Sequence, residues 1–188
     1  MRRLAAFLLA ALFGGCASAG GDREFNPPPP PRSAWVVGPD GRALGQARFT
    51  EGPAGVLIRL EFSGRGMPSG WHGVHLHQRG DCSDFAAGFQ ASGGHLGMAG
   101  GAQHGLMNPF GPEPGDLPSL FAAPSGVFGA ELFNPRVTLR SEPVGERIPL
   151  LDADGSALVI HAAVDDQTSQ PIGGAGVRIA CAALTQLP

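Results

Sequence analysis

One stretch decides the fold and the chemistry of this chain: Trp71-His72-Gly73-Val74-His75-Leu76-His77. A single residue separates His75 from His77, so on a β-strand both imidazoles point to the same face. Neutral imidazole is the commonest side-chain ligand of transition metals and suits copper and zinc. The stretch therefore predicts a strand that carries two metal ligands.

Further candidate ligands follow along the chain, which has six histidines in all. The additional nitrogen candidates are His95, His104 and His161. Two acids downstream of His104, Glu113 and Asp116, add oxygen ligands at loop spacing. Copper(II) prefers a nitrogen-rich tetragonal set, whereas zinc accepts a tetrahedral mixture of imidazole and carboxylate. The candidates therefore divide into an imidazole-only site and a mixed site.

The sequence pattern of the rest of the chain predicts short β-strands separated by turns. In the run from Val56 to Phe62, the charged Arg59 and Glu61 alternate with apolar residues, as on a half-buried strand. The 30 glycines and 18 prolines disfavour helices and favour turns. We expect an all-β sandwich or barrel with no amphipathic helix in the mature chain.

Two long segments do not fit strands. Residues 79–118 contain His95, His104 and many glycines and prolines, and residues 162–176 run from an acidic pair into a glycine pair. Loops longer than about 15 residues are uncommon unless they are functional. We call residues 79–118 the first loop and residues 162–176 the second loop. Each follows a histidine-bearing strand, so we expect both loops to fold over one site.

The first residues resemble an export signal. Two arginines precede an apolar run, Leu4 to Phe13, which is too short to span a bilayer as a mature helix. Two cleavage sites stay open: one after Ala19, and one before Cys16, because Phe13-Gly14-Gly15-Cys16 resembles a lipobox. We expect residues 1–19 to be a signal peptide of the lipoprotein type, with the lipid on Cys16.

The cysteine count agrees with lipidation. Three cysteines are an odd number for an exported protein, in which thiols tend to pair. Cys82 and Cys181 lie in the expected globular part and can pair, which leaves Cys16 for a thioether. Residues 20–33 include five consecutive prolines and predict a stiff tether, or else a disordered leader without a spacing role. The globular domain is expected over residues 34–188.

The charge balance excludes one class of partner. All 13 basic residues are arginines, the net charge is -3, and no basic block suggests nucleic-acid binding. Membrane contact is expected only through the lipid.

The opening stretch, followed by Gly80-Asp81-Cys82, resembles the copper-binding signature of the copper/zinc superoxide dismutases. Other segments match the family in the same order: Gly93-Gly94-His95, Gly115-Asp116-Leu117-Pro118, Val159-Ile160-His161 and Gly173 to Cys181. The resemblance covers about residues 34–184, and the short second loop is similar to that of the bacterial periplasmic branch. It implies an eight-stranded Greek-key β-barrel of the immunoglobulin-like sandwich type with two long functional loops.

The resemblance also implies an activity and a set of metal ligands. The enzyme would convert superoxide to oxygen and hydrogen peroxide by cycling copper between Cu(II) and Cu(I). Copper would be bound by His75, His77, His95 and His161. Zinc would be bound by His95, His104, Glu113 and Asp116, with His95 bridging the two metals.

Supporting roles follow from the same resemblance. Arg178 would sit over the copper and attract the superoxide anion. Asp165 would hydrogen-bond ligand histidines of both metals, and His72 would pack beneath the site. Cys82 and Cys181 would form the disulfide.

The protein would be periplasmic and lipid-anchored to the outer membrane, since Ala17 rather than Asp follows Cys16, and its oligomeric state stays open.

The sequence departs from the family pattern at Glu113, where the family has its third zinc histidine. A carboxylate can ligate zinc, so the site is either retained with two nitrogens and two oxygens or weakened and lost. The alternative function is therefore a dismutase-like periplasmic protein that binds or buffers copper with an impaired zinc site. The second loop also lacks lysines and carries Asp165 and Asp166, which predicts weaker attraction of an anion.

Overall fold

The computed structural model describes residues 26–64 and 66–186. The predicted signal peptide, Cys16 and residues 20–25 of the predicted tether lie outside the described residues. Within those described ranges the chain forms strands and three 3-10 turns, Phe85–Ala87, Gln90–Ser92 and Met98–Gly100, with no α-helix. The strands are β1 (Arg32–Val37), β2 (Ala43–Gly52), β3 (Gly55–Ser63), β4 (Gly70–His72), β5 (Val74–His77), β6 (Leu120–Ala122), β7 (Val127–Asn134), β8 (Val137–Thr138), β9 (Ile148–Pro149), β10 (Ser156–His161) and β11 (Arg178–Leu184).

Seven strands form one antiparallel sheet in the order β5-β10-β11-β1-β2-β3-β7. The edge strand β5 continues β4 across Gly73, β4 pairs with β6, and β6 turns at Ala123–Gly126 into β7, the opposite edge. These connections curl the sheet on itself. With β4 and β5 taken as one interrupted strand and the short parallel β8–β9 pair left aside, the described chain has eight strands. The predicted all-β barrel is confirmed.

Strict alternation builds the core on β3. Val56, Ile58 and Leu60 are fully buried and Phe62 nearly so, while the residues between them face outward. Burying such a side chain stabilises the fold by about 1.5–3 kcal/mol relative to leaving it exposed. The inner face of β3 therefore anchors the core cluster that includes the inner face of β5.

Strand β10 is buried along its whole length because both of its faces are covered. Leu158 and Ile160 face the main core, whereas Ala157 and Val159 pack with Phe89 and Cys181 under the loop that follows β5. Cys82 and Cys181 form a disulfide with Cα atoms 5.8 Å apart. In the chain-entropy model, closing a loop of 99 residues contributes about 4.7 kcal/mol. The disulfide thus ties that loop to β11.

The barrel begins within the predicted tether. Arg32 and Ser33 pair with Phe49 and Arg48 of β2, so strand β1 starts two residues before the predicted domain boundary at 34. Arg140 donates hydrogen bonds to the Asn26 side chain and to the backbone carbonyls of Asn26 and Pro27, at 2.8–3.2 Å. The described end of the proline-rich segment therefore lies against the barrel. Among the described residues, no helix has the length and apolar character needed to cross a membrane.

Candidate metal centre

The ligands predicted for copper lie on paired strands and on the first loop. Strand β5 carries His75 and His77, and its neighbour β10 ends at His161, with His75 opposite Val159 in the register. The first loop is hydrogen-bonded onto β5 and brings His95 opposite His77. All four imidazoles are buried. Strands β5 and β10 and the first loop therefore bring together histidines that are far apart in sequence.

Each of these four histidines has one ring nitrogen that is hydrogen-bonded and one that has no partner in residues 26–64 and 66–186. The bonded nitrogens are His75 Nε2 to Asp165 Oδ2 at 2.8 Å, His77 Nδ1 to the Gly93 carbonyl at 2.9 Å, His95 Nδ1 to Glu113 Oε2 at 2.8 Å and His161 Nδ1 to the Gly176 carbonyl at 2.9 Å. The buried nitrogens without a partner among the described residues are His75 Nδ1, His77 Nε2, His95 Nε2 and His161 Nε2. We call these four residues the imidazole-only group.

The imidazole-only group fits a metal ion. Its members each offer one ligand atom, and these atoms lie within 4.8 Å of one another. A buried polar atom left unsatisfied costs about 1–3 kcal/mol, so four at one point require a shared partner. A set of imidazoles alone is a nitrogen-rich set of the kind that copper(II) prefers.

Burial disfavours protonation of three rings of this group, those of His75, His77 and His161. It lowers the pKa of His75, and it lowers the pKa of His77 well below its usual value, in both cases helped by the neighbouring His95. Burial, with the nearby His75, lowers the pKa of His161 to about 3. At neutral pH the lone pairs of these three rings are therefore free for a metal without competition from protons.

A second group of side chains lies on the other side of His95. We call His95, His104, Glu113 and Asp116 the mixed group, and all four are buried. His104 Nδ1 lies 2.7 Å from Asp116 Oδ1, and His95 Nδ1 lies 2.8 Å from Glu113 Oε2. The crossed distances, His95 to Asp116 and His104 to Glu113, are 3.8 and 3.9 Å between the same atoms.

The mixed group fits zinc. Metal–ligand bonds of about 2 Å in a tetrahedron place the ligand atoms about 3.3 Å apart. The four measured distances, 2.7–3.9 Å, lie around that value. The ligand atoms that all lie within 4.8 Å of one another here belong to His95, His104, Asp116 and His75, and this set does not include Glu113. Glu113 lies beside it through the 2.8 Å contact with His95, so His75 and Glu113 are two candidates for the fourth ligand.

Proton affinity in the mixed group differs from that in the imidazole-only group. Burial favours neutral His104, but hydrogen bonds to Asp116 and Asp165 outweigh it and raise its pKa to about 10. Burial opposes ionisation of Asp116 and Asp165, yet the hydrogen bonds from His104 prevail and lower the pKa of both carboxyls. A metal that binds here must therefore displace a proton.

Asp165, from the second loop, joins the two groups. Its Oδ2 accepts from His75 Nε2 at 2.8 Å and its Oδ1 from His104 Nε2 at 3.1 Å. Gly173 makes room for it: with φ of +58°, a side chain there would be strained, and its Cβ would collide with the Asp165 carboxylate. Of the two adjacent glycines in the second loop, Gly173 is therefore the one that must lack a side chain to leave room for this carboxylate.

Arg178 lies at the start of β11, opposite His161 in the register. Its guanidinium is half-buried and donates to the carbonyls of Phe89 and Gly93, at 2.7 and 2.8 Å. Burial lowers its pKa and Asp84 counteracts the shift, but a guanidinium stays charged at any working pH. The structure therefore holds a fixed positive charge beside the imidazole-only group.

His72 is placed differently from the other histidines. Its Nδ1 lies 2.7 Å from the His161 carbonyl and its Nε2 lies 2.8 Å from the Pro68 carbonyl. Neither ring nitrogen is free for a metal, so His72 joins β4 to the end of β10.

Sequence reasoning missed two glutamines in the second loop. Gln170 accepts from the His104 backbone N–H at 3.1 Å and donates to its carbonyl at 2.8 Å. Gln167 accepts from the Leu106 N–H and donates to the Leu117 carbonyl, both at 3.2 Å. Together they fasten the first loop to the second. No local sequence pattern signals this, because the partners are 50 to 66 residues away.

Comparison with known proteins agrees with this geometry. The family model of copper/zinc superoxide dismutase (SODC) matches residues 43–184. A relative from Caulobacter vibrioides, named superoxide dismutase [Cu-Zn], is 46% identical over 149 residues, which are 79% of this chain and 82% of the relative. Superoxide dismutase [Cu-Zn] 2 of Aquifex aeolicus is 38% identical over 148 residues, with coverage of 79% and 82%.

Solved structures support the same fold. A superoxide dismutase-like protein from Bacillus subtilis superimposes with a TM-score of 0.71 at 29% identity, covering 81% of this chain and 97% of that one. The Cu/Zn superoxide dismutase of Brucella abortus gives a TM-score of 0.60 at 23% identity, covering 82% and 99%, and supports the fold alone. The family model covers well over half of the chain, and two relatives exceed 30% identity over most of their length. The chain belongs to the copper/zinc superoxide dismutase family.

Proposed function

We propose that this protein removes superoxide with copper in the imidazole-only group and zinc in the mixed group. The observation that carries the proposal is the convergence of four buried ring nitrogens that have no partner among the described residues. Family membership and the names of its relatives support an enzyme rather than a copper buffer.

The proposed ligands are those of the two groups defined above. Copper, when bound, supplies one-electron chemistry that oxidises one superoxide to oxygen and reduces the next to hydrogen peroxide. His95 belongs to both groups, with Nε2 in the first and Nδ1 next to Glu113 in the second. When Nε2 is not ligated, it is placed to carry one of the two protons that hydrogen peroxide needs, and solvent would supply the other.

Arg178 is the residue placed to attract the anion. Its guanidinium carries a positive charge beside His77 and His161 and is only half-buried. Val164 and Val177, which precede Asp165 and Arg178, are exposed and apolar. With no lysine in the chain and no basic residue in the second loop, we infer a weaker steering of superoxide than a basic loop would give.

Superoxide removal by purified protein loaded with copper and zinc tests the proposal, with His161→Ala as the matched variant. The proposal predicts rapid removal by the wild type and none above background by the variant. Wild-type protein that binds copper without turnover would instead favour a copper-buffering role.

We further propose that the chain is exported and anchored by a lipid on Cys16, facing the periplasm from the outer membrane. The supporting features are the signal-like segment, the lipobox-like Phe13-Gly14-Gly15-Cys16 and the disulfide, which suits an oxidising compartment. Metabolic labelling with a radioactive fatty acid should mark the wild type and leave Cys16→Ser unlabelled. Equal labelling of both, or none of either, would contradict the anchor.

A further inference from the structure

Ser92 is a fully buried hydroxyl between the imidazole-only group and Arg178. It ends the 3-10 turn Gln90–Ser92 in the loop after β5. Its Oγ–H donates to the Phe89 carbonyl at 2.7 Å. A serine hydroxyl has one proton, so with this donation made the oxygen can only accept from other neighbours.

Two neighbours are placed to donate to this oxygen. Arg178 Nη1 lies 3.2 Å from Ser92 Oγ, and His77 Nδ1 lies 3.3 Å from it. The adjacent Gly93 carbonyl repeats the pattern, because it accepts from Arg178 Nη2 at 2.8 Å and from His77 Nδ1 at 2.9 Å. Ser92 and Gly93 are therefore shared acceptors for a histidine of the imidazole-only group and for the guanidinium.

The loop segment that contains Ser92 and Gly93 is anchored by the packing of Phe89 against the core. Phe89 is fully buried against Ala157, Val159 and Cys181, close to the disulfide. It adopts a left-handed conformation with φ of +57°, which a non-glycine residue keeps only where its surroundings fix it. The position of Ser92 is therefore set by the core and not by the metal site itself.

We propose that Ser92 is a positioning residue that couples His77 to Arg178. Together with the Gly93 carbonyl, it accepts from His77 Nδ1–H and so keeps Nε2 free for copper. Together with the Phe89 and Gly93 carbonyls, it accepts from Arg178 and adds a direct link between the guanidinium and that histidine. The inference rests on the proposed copper site, and it adds a role for a residue that neither binds the metal nor touches the substrate.

The test uses the full-length protein with copper and zinc bound and compares Ser92→Ala with Ser125→Ala. Ser125 lies exposed in the turn between β6 and β7 and provides the matched control. Azide, an anion that binds Cu(II), reports on the guanidinium, and the electron paramagnetic resonance (EPR) spectrum of Cu(II) reports on His77. Losing one ordinary hydrogen bond predicts azide affinity about threefold weaker in Ser92→Ala, a shifted copper hyperfine splitting and unchanged copper content. Ser125→Ala should match the wild type.

A double-mutant comparison separates positioning from a general loosening of the loop. In an Arg178→Ala background, Ser92→Ala should weaken azide binding no further, because the hydroxyl acts on the anion through Arg178. Ser92→Thr, which restores the hydroxyl, should recover the wild-type hyperfine splitting. Wild-type azide affinity and EPR spectrum in Ser92→Ala would overturn the proposal, as would an equal loss in both backgrounds. Because both readouts need bound copper but no turnover, they stay informative even if superoxide removal fails.

Discussion

The imidazole-only group and the mixed group share His95, but they differ in whether their ligand atoms already have hydrogen-bond partners in the protein. In the first group the inward-facing nitrogens have no partner within the described chain, and burial lowers the pKa of His75, His77 and His161. In the second, His104 and Asp116 already bond to each other, as do His95 and Glu113. A metal completes the first group but must displace hydrogen bonds and a proton in the second. We therefore expect copper to bind more tightly than zinc.

The largest effect is expected from removing a ligand of the first group. His161→Ala should lower superoxide removal by at least about 100-fold, since even partners of ligands are worth about 10–100-fold. His104→Ala should release zinc and leave copper bound, because His104 belongs only to the mixed group. Metal content by mass spectrometry and activity checks both variants. Loss of copper from His104→Ala would contradict the prediction that the two groups bind their metals separately.

Asp165→Asn should affect both groups, because the Asp165 carboxylate accepts a hydrogen bond from one histidine of each. An amide can accept from only one of His75 and His104, and its NH2 group would face the other ring N–H. Zinc affinity is expected to fall about 10–100-fold, measured by competition with a chromophoric chelator. Asp166→Asn, one residue on and exposed, is the control and should keep wild-type affinity. Equal zinc affinities in the two variants would show that the Asp165 carboxylate does not support zinc binding.

Gly173→Ala tests whether the carboxylate needs the space it occupies. Gly173 and Gly174 both have positive φ, +58° and +69°, but only a Cβ on Gly173 would collide with Asp165. Left-handed strain alone should lower the free energy of unfolding by about 1 kcal/mol in Gly174→Ala. Gly173→Ala should lose more, about 2 kcal/mol, together with zinc. Urea unfolding gives both values, and equal losses would contradict the collision.

The smallest effect is expected at Glu113. Glu113→Gln keeps the size of the side chain but removes its charge, so zinc affinity should fall about tenfold, comparable to one charge-assisted hydrogen bond. Glu113→His should raise zinc affinity, because it restores the ligand that the family has at this position. Copper content should not change in either variant. Zinc affinity that is the same in all three proteins would mean that Glu113 is not a ligand and that His75 or solvent completes the site.

The sequence predicted most of the strands, and it identified the histidines that the structure brings together. Alternation identified the inner face of β3, and the His-x-His spacing placed His75 and His77 on one strand. The contacts that orient these residues could not be predicted from sequence. Ser92, Gln167 and Gln170 act through backbone groups or side chains distant in the chain, and such pairings depend on how the loops pack.

The start of the barrel was also beyond sequence reasoning. A proline run predicts an extended chain, but whether Arg32 and Ser33 continue it or join a sheet depends on the partner strand β2. Likewise, the carbonyls of Gly93 and Gly176 that orient His77 and His161 carry no sequence signal. Backbone acceptors of this kind are set by turn geometry.

The central claim is that four histidine nitrogens converge on one copper ion. Pulsed EPR of protein carrying one Cu(II) per chain counts the coordinated imidazoles directly, and superoxide removal can be measured on the same sample. The account predicts four equatorial nitrogen ligands, all histidine, in protein that removes superoxide. Copper bound by two histidines and carboxylate oxygens, as in the mixed group, would contradict it.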